Sequence, residues 1–106
     1  MHLYDDSFLA YLAGFIDGDG SISFSARRYG ITIAQKDRAL LEVLSCNLHG
    51  GAIHCDKRSG VHTLALGRLL SRILTRELLP FLRKPHKYAN ACRIASVPNV
   101  GRQPRN

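Results

Sequence analysis

Leu12-Ala13-Gly14-Phe15-Ile16-Asp17-Gly18-Asp19-Gly20 is the stretch that decides the fold. An apolar run of small residues enters a pair of aspartates framed by glycines. Phe8, Leu12, Phe15 and Ile16 recur at helical spacing, so a helix is predicted from about Ser7 to Asp17. Asp5, Asp6 or Ser7 is placed to accept from the free amides at its start, where an acid also suits the helix dipole. Ala10, Ala13, Gly14 and Asp17 form a second, small-residue stripe. A glycine inside a helix costs about 1 kcal/mol relative to alanine. Close approach of another backbone is one reason to accept that cost. Room for the chain's own sheet is the other. A helix ending in carboxylates and flexible backbone can deliver an acid to a metal site.

After Gly20 the period changes to two. Ile22, Phe24 and Ala26 alternate with Ser21, Ser23, Ser25 and Arg27. Beyond the Arg28-Tyr29-Gly30 turn region, Ile31, Ile33 and Gln35 alternate with Thr32, Ala34 and Lys36. This is an antiparallel hairpin with one apolar and one polar face. Asp37 is placed to cap a second helix, about Arg38 to Leu48, with Leu40, Leu41, Val43, Leu44 and Leu48 turned inward. His49-Gly50-Gly51 ends it. A weaker hairpin follows over 52–56 and 61–66, around Lys57-Arg58-Ser59-Gly60, with its strand phase open. Two more helices are expected over 68–79 and 86–95, with Pro80 and Pro85 between them. Residues 98–106, with Pro98, Gly101 and Pro104, make a flexible tail to a single domain over 1–97. The order α-β-β-α-β-β-α-α predicts an α+β fold: a four-stranded antiparallel sheet with helices on one face.

The 106 residues suffice for one core, and 45% of them are hydrophobic. Lys and Arg number 15 against 8 acids, for a formal net charge of +7. That excess favours a polyanion as partner, most simply nucleic acid. Cys46, Cys55 and Cys92 are odd in number and far apart, so neither a zinc knuckle nor a disulfide framework is suggested. The chain opens on no signal segment and contains no apolar run of membrane-spanning length, so an intracellular protein is expected.

The opening stretch resembles the LAGLIDADG motif at seven of nine positions, departing at Phe15 and Gly18. The element order is similar to that family's αββαββα core. The chain is thereby identified with the single-motif LAGLIDADG homing endonucleases. The resemblance implies a homodimer joined through the motif helices, Ala10, Ala13, Gly14 and Asp17 providing the contact. It implies two sheets forming a saddle over double-stranded DNA, a palindromic or nearly palindromic target, and hydrolysis of phosphodiester bonds assisted by Mg²⁺ (or Mn²⁺). Read alone, Asp17 and Asp19 are ordinary turn or cap residues. By resemblance Asp19 is the metal-binding acid, Gly18 offers a backbone carbonyl to the metal, and Asp17 is more structural than catalytic. One acid from each subunit then makes the cradle. Gln35 resembles the polar residue that orients attacking water. Arg38 lies near a basic position used around the scissile phosphate. Counting from Pro80-Phe81-Leu82 puts Pro85 where the family carries its active-site lysine, so Lys84 is taken as the replacement, with Lys87 also available.

DNA contacts are expected from the polar faces of the hairpins, because a two-stranded ribbon fits the major groove. In the first hairpin these are Ser21, Ser23, Ser25, Arg27, Arg28, Thr32 and Lys36. In the second they are His54, Lys57 and Arg58, with Thr63 beside them. A short first hairpin implies a compact footprint. The competing reading is a non-cleaving nucleic-acid binder on the same scaffold, an intron maturase or a transcription regulator. Asp19 argues against it, since a pure binder gains nothing from an acid facing phosphate.

Overall fold

The computed structural model describes residues 4–25 and 28–97. Asp5 caps the first helix, α1 (Asp6–Asp19), its carboxylate accepting from the Phe8 amide at 2.8 Å. The helix passes without a linker into β1 (Gly20–Phe24). Gly20 permits this. A methyl group on it would lie 2.7 Å from the Ile16 Cα, so no other residue fits without moving the helix. β2 (Tyr29–Gln35) returns antiparallel to β1, starting two residues earlier than the sequence suggests, so Tyr29 and Gly30 are strand rather than turn. Ala26 and Arg27 lie outside the described residues.

Asp37 caps α2 (Arg38–Leu48) through the Ala39 amide at 3.0 Å. His49 ends that helix in the left-handed conformation, φ 59°, a post that glycine more often fills. β3 (Ala52–Cys55) and β4 (His62–Leu66) form the second hairpin. α3 (Arg68–Leu78), a 3₁₀ turn over Leu79–Phe81 and α4 (Pro85–Ala95) follow. Pro85 is the first helical residue of α4, where its missing N–H costs nothing. The tail expected over 98–106 lies outside the described residues.

The four strands form one antiparallel sheet in the order β1-β2-β4-β3. Its apolar face carries Ile22, Ile31, Ile33, Leu64 and Leu66. Against them pack Leu9, Leu12, Ala13 and Ile16 of α1, Leu41, Leu44 and Leu48 of α2, Leu74 and Leu78 of α3, and Ala91 and Ile94 of α4. Burying such side chains is worth roughly 1.5–3 kcal/mol each for the larger ones, which makes this layer the main stabilising term. Leu40 and Val43 correct the inward assignment: Val43 is 57% exposed and Leu40 37%. Leu41, Leu44 and Leu48 already fill the buried stripe, and each of the other two sits one residue, 100°, off it. Among the described residues, no helix is long and apolar enough to cross a membrane.

Candidate metal and nucleic-acid site

The site is built where α1 runs out. An α-helix leaves its last carbonyls without intrahelical donors. Here the Gly20 amide closes on the Ile16 carbonyl. The buried ammonium of Lys87, reaching from α4, donates to the carbonyls of Ile16 (2.7 Å) and Asp17 (2.9 Å). Gly18 and Asp19 carry the next two carbonyls, which these donors do not serve. The Asp19 carboxylate is exposed, and one oxygen accepts from the Gln35 side-chain amide at 3.2 Å. Gln35 is half-buried at the end of β2, so the acid is tied to the sheet across 16 residues of sequence.

These groups suit a hard divalent cation. Mg²⁺ takes oxygen ligands and binds through one or two carboxylates, with phosphate oxygens and water completing the shell. A carboxylate and a backbone carbonyl at one helix end are such donors. No three His, Cys, Asp or Glu side chains gather to hold a metal among the described residues. A cation held by the Asp19 carboxylate and the Gly18 carbonyl of one copy would need further oxygen ligands to fill its shell.

Asp17, expected in a contact with a second chain, is half-buried and makes bonds within its own. Its carboxylate accepts from the backbone amides of Arg83 (2.9 Å) and Lys84 (3.2 Å) of its own chain. It anchors the segment leading into α4 to the end of α1. Ala13 departs too: it is fully buried in the core, because it shares the helix face of Leu9, Leu12 and Ile16. Ala10 and Gly14 are exposed as expected, and Tyr11 and Gly18 lie exposed beside them. A methyl group on Gly14 or on Gly18 would meet nothing within 4 Å. The chain's own sheet is thus not why Gly14 is glycine.

Lys84 is exposed at the N-cap of α4, its backbone held by Asp17 two residues from Asp19. Lys87, the other replacement considered, is committed to the helix carbonyls. The Arg38 guanidinium pairs with Glu42 at 2.9 Å on the exposed side of α2.

The register sorts the strand residues into faces. Ser21 stands opposite Thr32, Thr32 opposite Ala65, and Ala65 opposite Ala52. Ala34 stands opposite Thr63, and Thr63 opposite His54. Ser21, Ser23, Thr32, Ala34 and His54 are exposed, so this open face is the polar one expected, and it fixes the phase of the second hairpin. Lys36 is exposed just past β2. Ser25 is not a free surface donor. Its hydroxyl donates to the Arg28 carbonyl at 3.1 Å and accepts from the Arg28 amide at 3.2 Å, closing the loop. Arg28 is exposed at that loop, and the expected contact at Arg27 lies outside the described residues. Lys57 and Arg58 are exposed on a turn that Asp56 holds through the Arg58 amide (3.0 Å) and the Ser59 hydroxyl (3.1 Å). Sequence reasoning does not find Asn90, whose amide donates to the Ile22 carbonyl at 2.9 Å and fastens α4 to β1.

Comparison with known proteins agrees with this architecture. Residues 6–49 match the model of a family described as the LAGLIDADG-like domain. The homing endonuclease I-CvuI, solved with the I-CreI target in 2 mM Mg with the DNA not cleaved, superimposes with a TM-score of 0.69 at 24% identity. That match covers 89% of this chain and 69% of the other. The same enzyme with its own target in 2 mM Ca gives a TM-score of 0.68 at 24% identity, with the same coverage. The archaeal intron-encoded homing endonuclease I-Vdi141I, complexed with DNA, gives 0.60 at 14% identity over 97% of this chain and 91% of that one. No curated protein matches. The likeness to the resemblance seen in the motif is therefore carried by sequence over α1 to α2 and by fold over nearly the whole chain.

Proposed function

We propose, on the premise that this chain carries a LAGLIDADG-like domain in the fold of LAGLIDADG homing endonucleases, that it is a site-specific DNA endonuclease. We infer further that it acts as a homodimer, requires Mg²⁺ or Mn²⁺, and cuts a palindromic or nearly palindromic duplex. The observation that carries this reading is the exposed Asp19 carboxylate, held by Gln35 at the end of a helix whose outer face is open.

When bound, the cation neutralises phosphate charge and lowers the pKa of water. The chain's residues do the rest. Asp19 and the Gly18 carbonyl hold it. Gln35 holds the Asp19 carboxylate before a cation arrives and is the residue to orient water once it has. Lys87 and Asp17 hold the helix end still. Lys84 is the cation assigned to stabilise developing charge, while Arg38 pairs with Glu42 in the free chain. Ser21, Ser23, Thr32 and His54 face the groove, while Arg28, Lys36, Lys57 and Arg58 meet phosphate or base edges around it.

The dimer reading rests on the open face of α1. Ala10, Gly14 and Gly18 expose almost nothing but backbone, and Tyr11, 53% exposed, flanks them. Small residues let two helix backbones approach closely. A second copy would bring a second Asp19 near the first and so complete the cradle.

Incubation with a randomised duplex library in Mg²⁺, followed by sequencing of cut ends, tests the reading. Staggered cuts at one symmetric motif are expected, and none in EDTA. Retention of a motif without cutting would instead favour the non-cleaving binder. One observation supports that second reading: Pro85 opens α4 at the position where the resemblance places the active-site lysine.

A further inference from the structure

His62 occupies a position that packing alone does not explain. It opens β4 on the parity of Leu64 and Leu66, both buried. An apolar side chain would suit that place. Instead there is an imidazole whose Nδ1 is buried and has no hydrogen-bond partner among the described residues. Such an orphan costs about 1–3 kcal/mol, and folded proteins keep few of them.

The sheet register says what lies beside it. His62 stands directly opposite Gln35 across the β2–β4 pairing. Directly opposed residues share a face, with Cβ atoms roughly 4.5–5.5 Å apart. Gln35 is the residue whose amide holds the Asp19 carboxylate at 3.2 Å. Two polar side chains therefore end the core-facing rows of neighbouring strands. One is bonded to the acid, and the Nδ1 of the other has no partner among the described residues.

We propose that His62 is a positioning residue for Gln35: it takes up the Gln35 amide when a divalent cation claims the Asp19 carboxylate. The proposal rests on the metal-dependent nuclease reading. A cation on Asp19 repels the positive N–H end of the Gln35 amide and competes for the same oxygen. The released amide needs a new partner, and the buried ring nitrogen across the strand is one. Either neutral tautomer serves. With the proton on Nε2, Nδ1 accepts from the Gln35 N–H; with the proton on Nδ1, it donates to the Gln35 carbonyl oxygen. The Gln35 side chain would then be fixed in the loaded state by a bond it lacks in the free one, ready to orient water rather than the acid.

Two measurements test this. The first follows the His62 ring nitrogens and the Asp19 amide by ¹⁵N NMR, in protein bound to its selected duplex made uncleavable by phosphorothioate, as Mg²⁺ is added. The Asp19 amide and His62 Nδ1 are expected to shift together. A shift at Asp19 with His62 unmoved overturns the proposal alone. Silence at both overturns it together with the metal reading. The second is His62→Phe with His62→Gln beside it. Because Phe removes an orphaned polar atom, it should melt at the same temperature or higher. It should also lose about tenfold in kcat, with KM and duplex affinity within twofold, since outer partners of a metal site typically matter by 10–100-fold. Gln should recover most of that loss. A His62→Phe protein that melts lower, fails to fold or cleaves at the original rate overturns the assignment.

Discussion

The Lys87 ammonium lies 2.7 Å from the Ile16 carbonyl, locking the last turn of α1 to α4 across 71 residues of sequence. A lysine this buried is rare without a carboxylate partner. Here the negative end of a helix stands in for one. Lys87→Met removes two charge-assisted hydrogen bonds and leaves helix carbonyls unserved. A loss of about 2–3 kcal/mol is expected, a drop in melting temperature of roughly 10 °C or more for a domain of this size. A melting curve that superimposes on the original would show the contact to be worth little.

Gly20 is under a different constraint from the glycines preceding it. Gly20→Ala would put a methyl group 2.7 Å from the Ile16 Cα, against backbone that cannot step aside. The overpacking should cost about 1–3 kcal/mol, read as a lower denaturant midpoint. Gly18→Ala, whose methyl group meets nothing within 4 Å in one chain, should leave the midpoint unchanged or raise it. Equal effects at the two positions would contradict the close approach.

Asp19→Asn keeps the shape of the side chain and its contact with Gln35 while removing the charge proposed to hold the cation. Cleavage should disappear. Duplex affinity in EDTA should hold or tighten, because one negative charge facing phosphate is gone. Residual cutting above background in a gel assay would remove Asp19 from the metal site.

How much of this was visible in the chain depends on what each residue's neighbours are. The helix with its terminal acid is legible because periodicity and the glycine frame are local. Gln35 is legible because strand alternation puts it at a hairpin end. Ala10 and Ala13 are not separable by type, since a small residue suits a tight core as well as a helix contact, and only burial divides them. Leu40 and Val43 fail for the related reason that an apolar residue does not state its angle on the helix. Lys87 is hidden because a lysine defaults to solvent, and its partner carbonyls lie far away in sequence. His62 could be found only once the phase of the second hairpin was fixed.

Arg58 sits exposed on a turn that Asp56 and Ser59 hold, and in the proposed DNA complex it is a phosphate contact. Arg58→Ala should weaken binding about equally across related sequences. It should also reduce the slope of log affinity against log salt by about 1, the signature of one lost phosphate contact. If the affinity falls at one base position only, Arg58 reads sequence instead.

Gly14 gives the sharpest test of assembly. In one chain nothing lies within 4 Å of a side chain placed there, so Gly14→Leu is free of clashes and gains helix propensity of nearly 1 kcal/mol. The single chain should fold at least as well as before, with an unchanged circular dichroism spectrum. Between two helices packed through Ala10, Gly14 and Gly18, the same leucine forces the backbones apart. Sedimentation should therefore report a folded monomer, and cleavage should be lost because the two Asp19 carboxylates no longer meet. If Gly14→Leu sediments as an active dimer, the open face of α1 is not where two copies join.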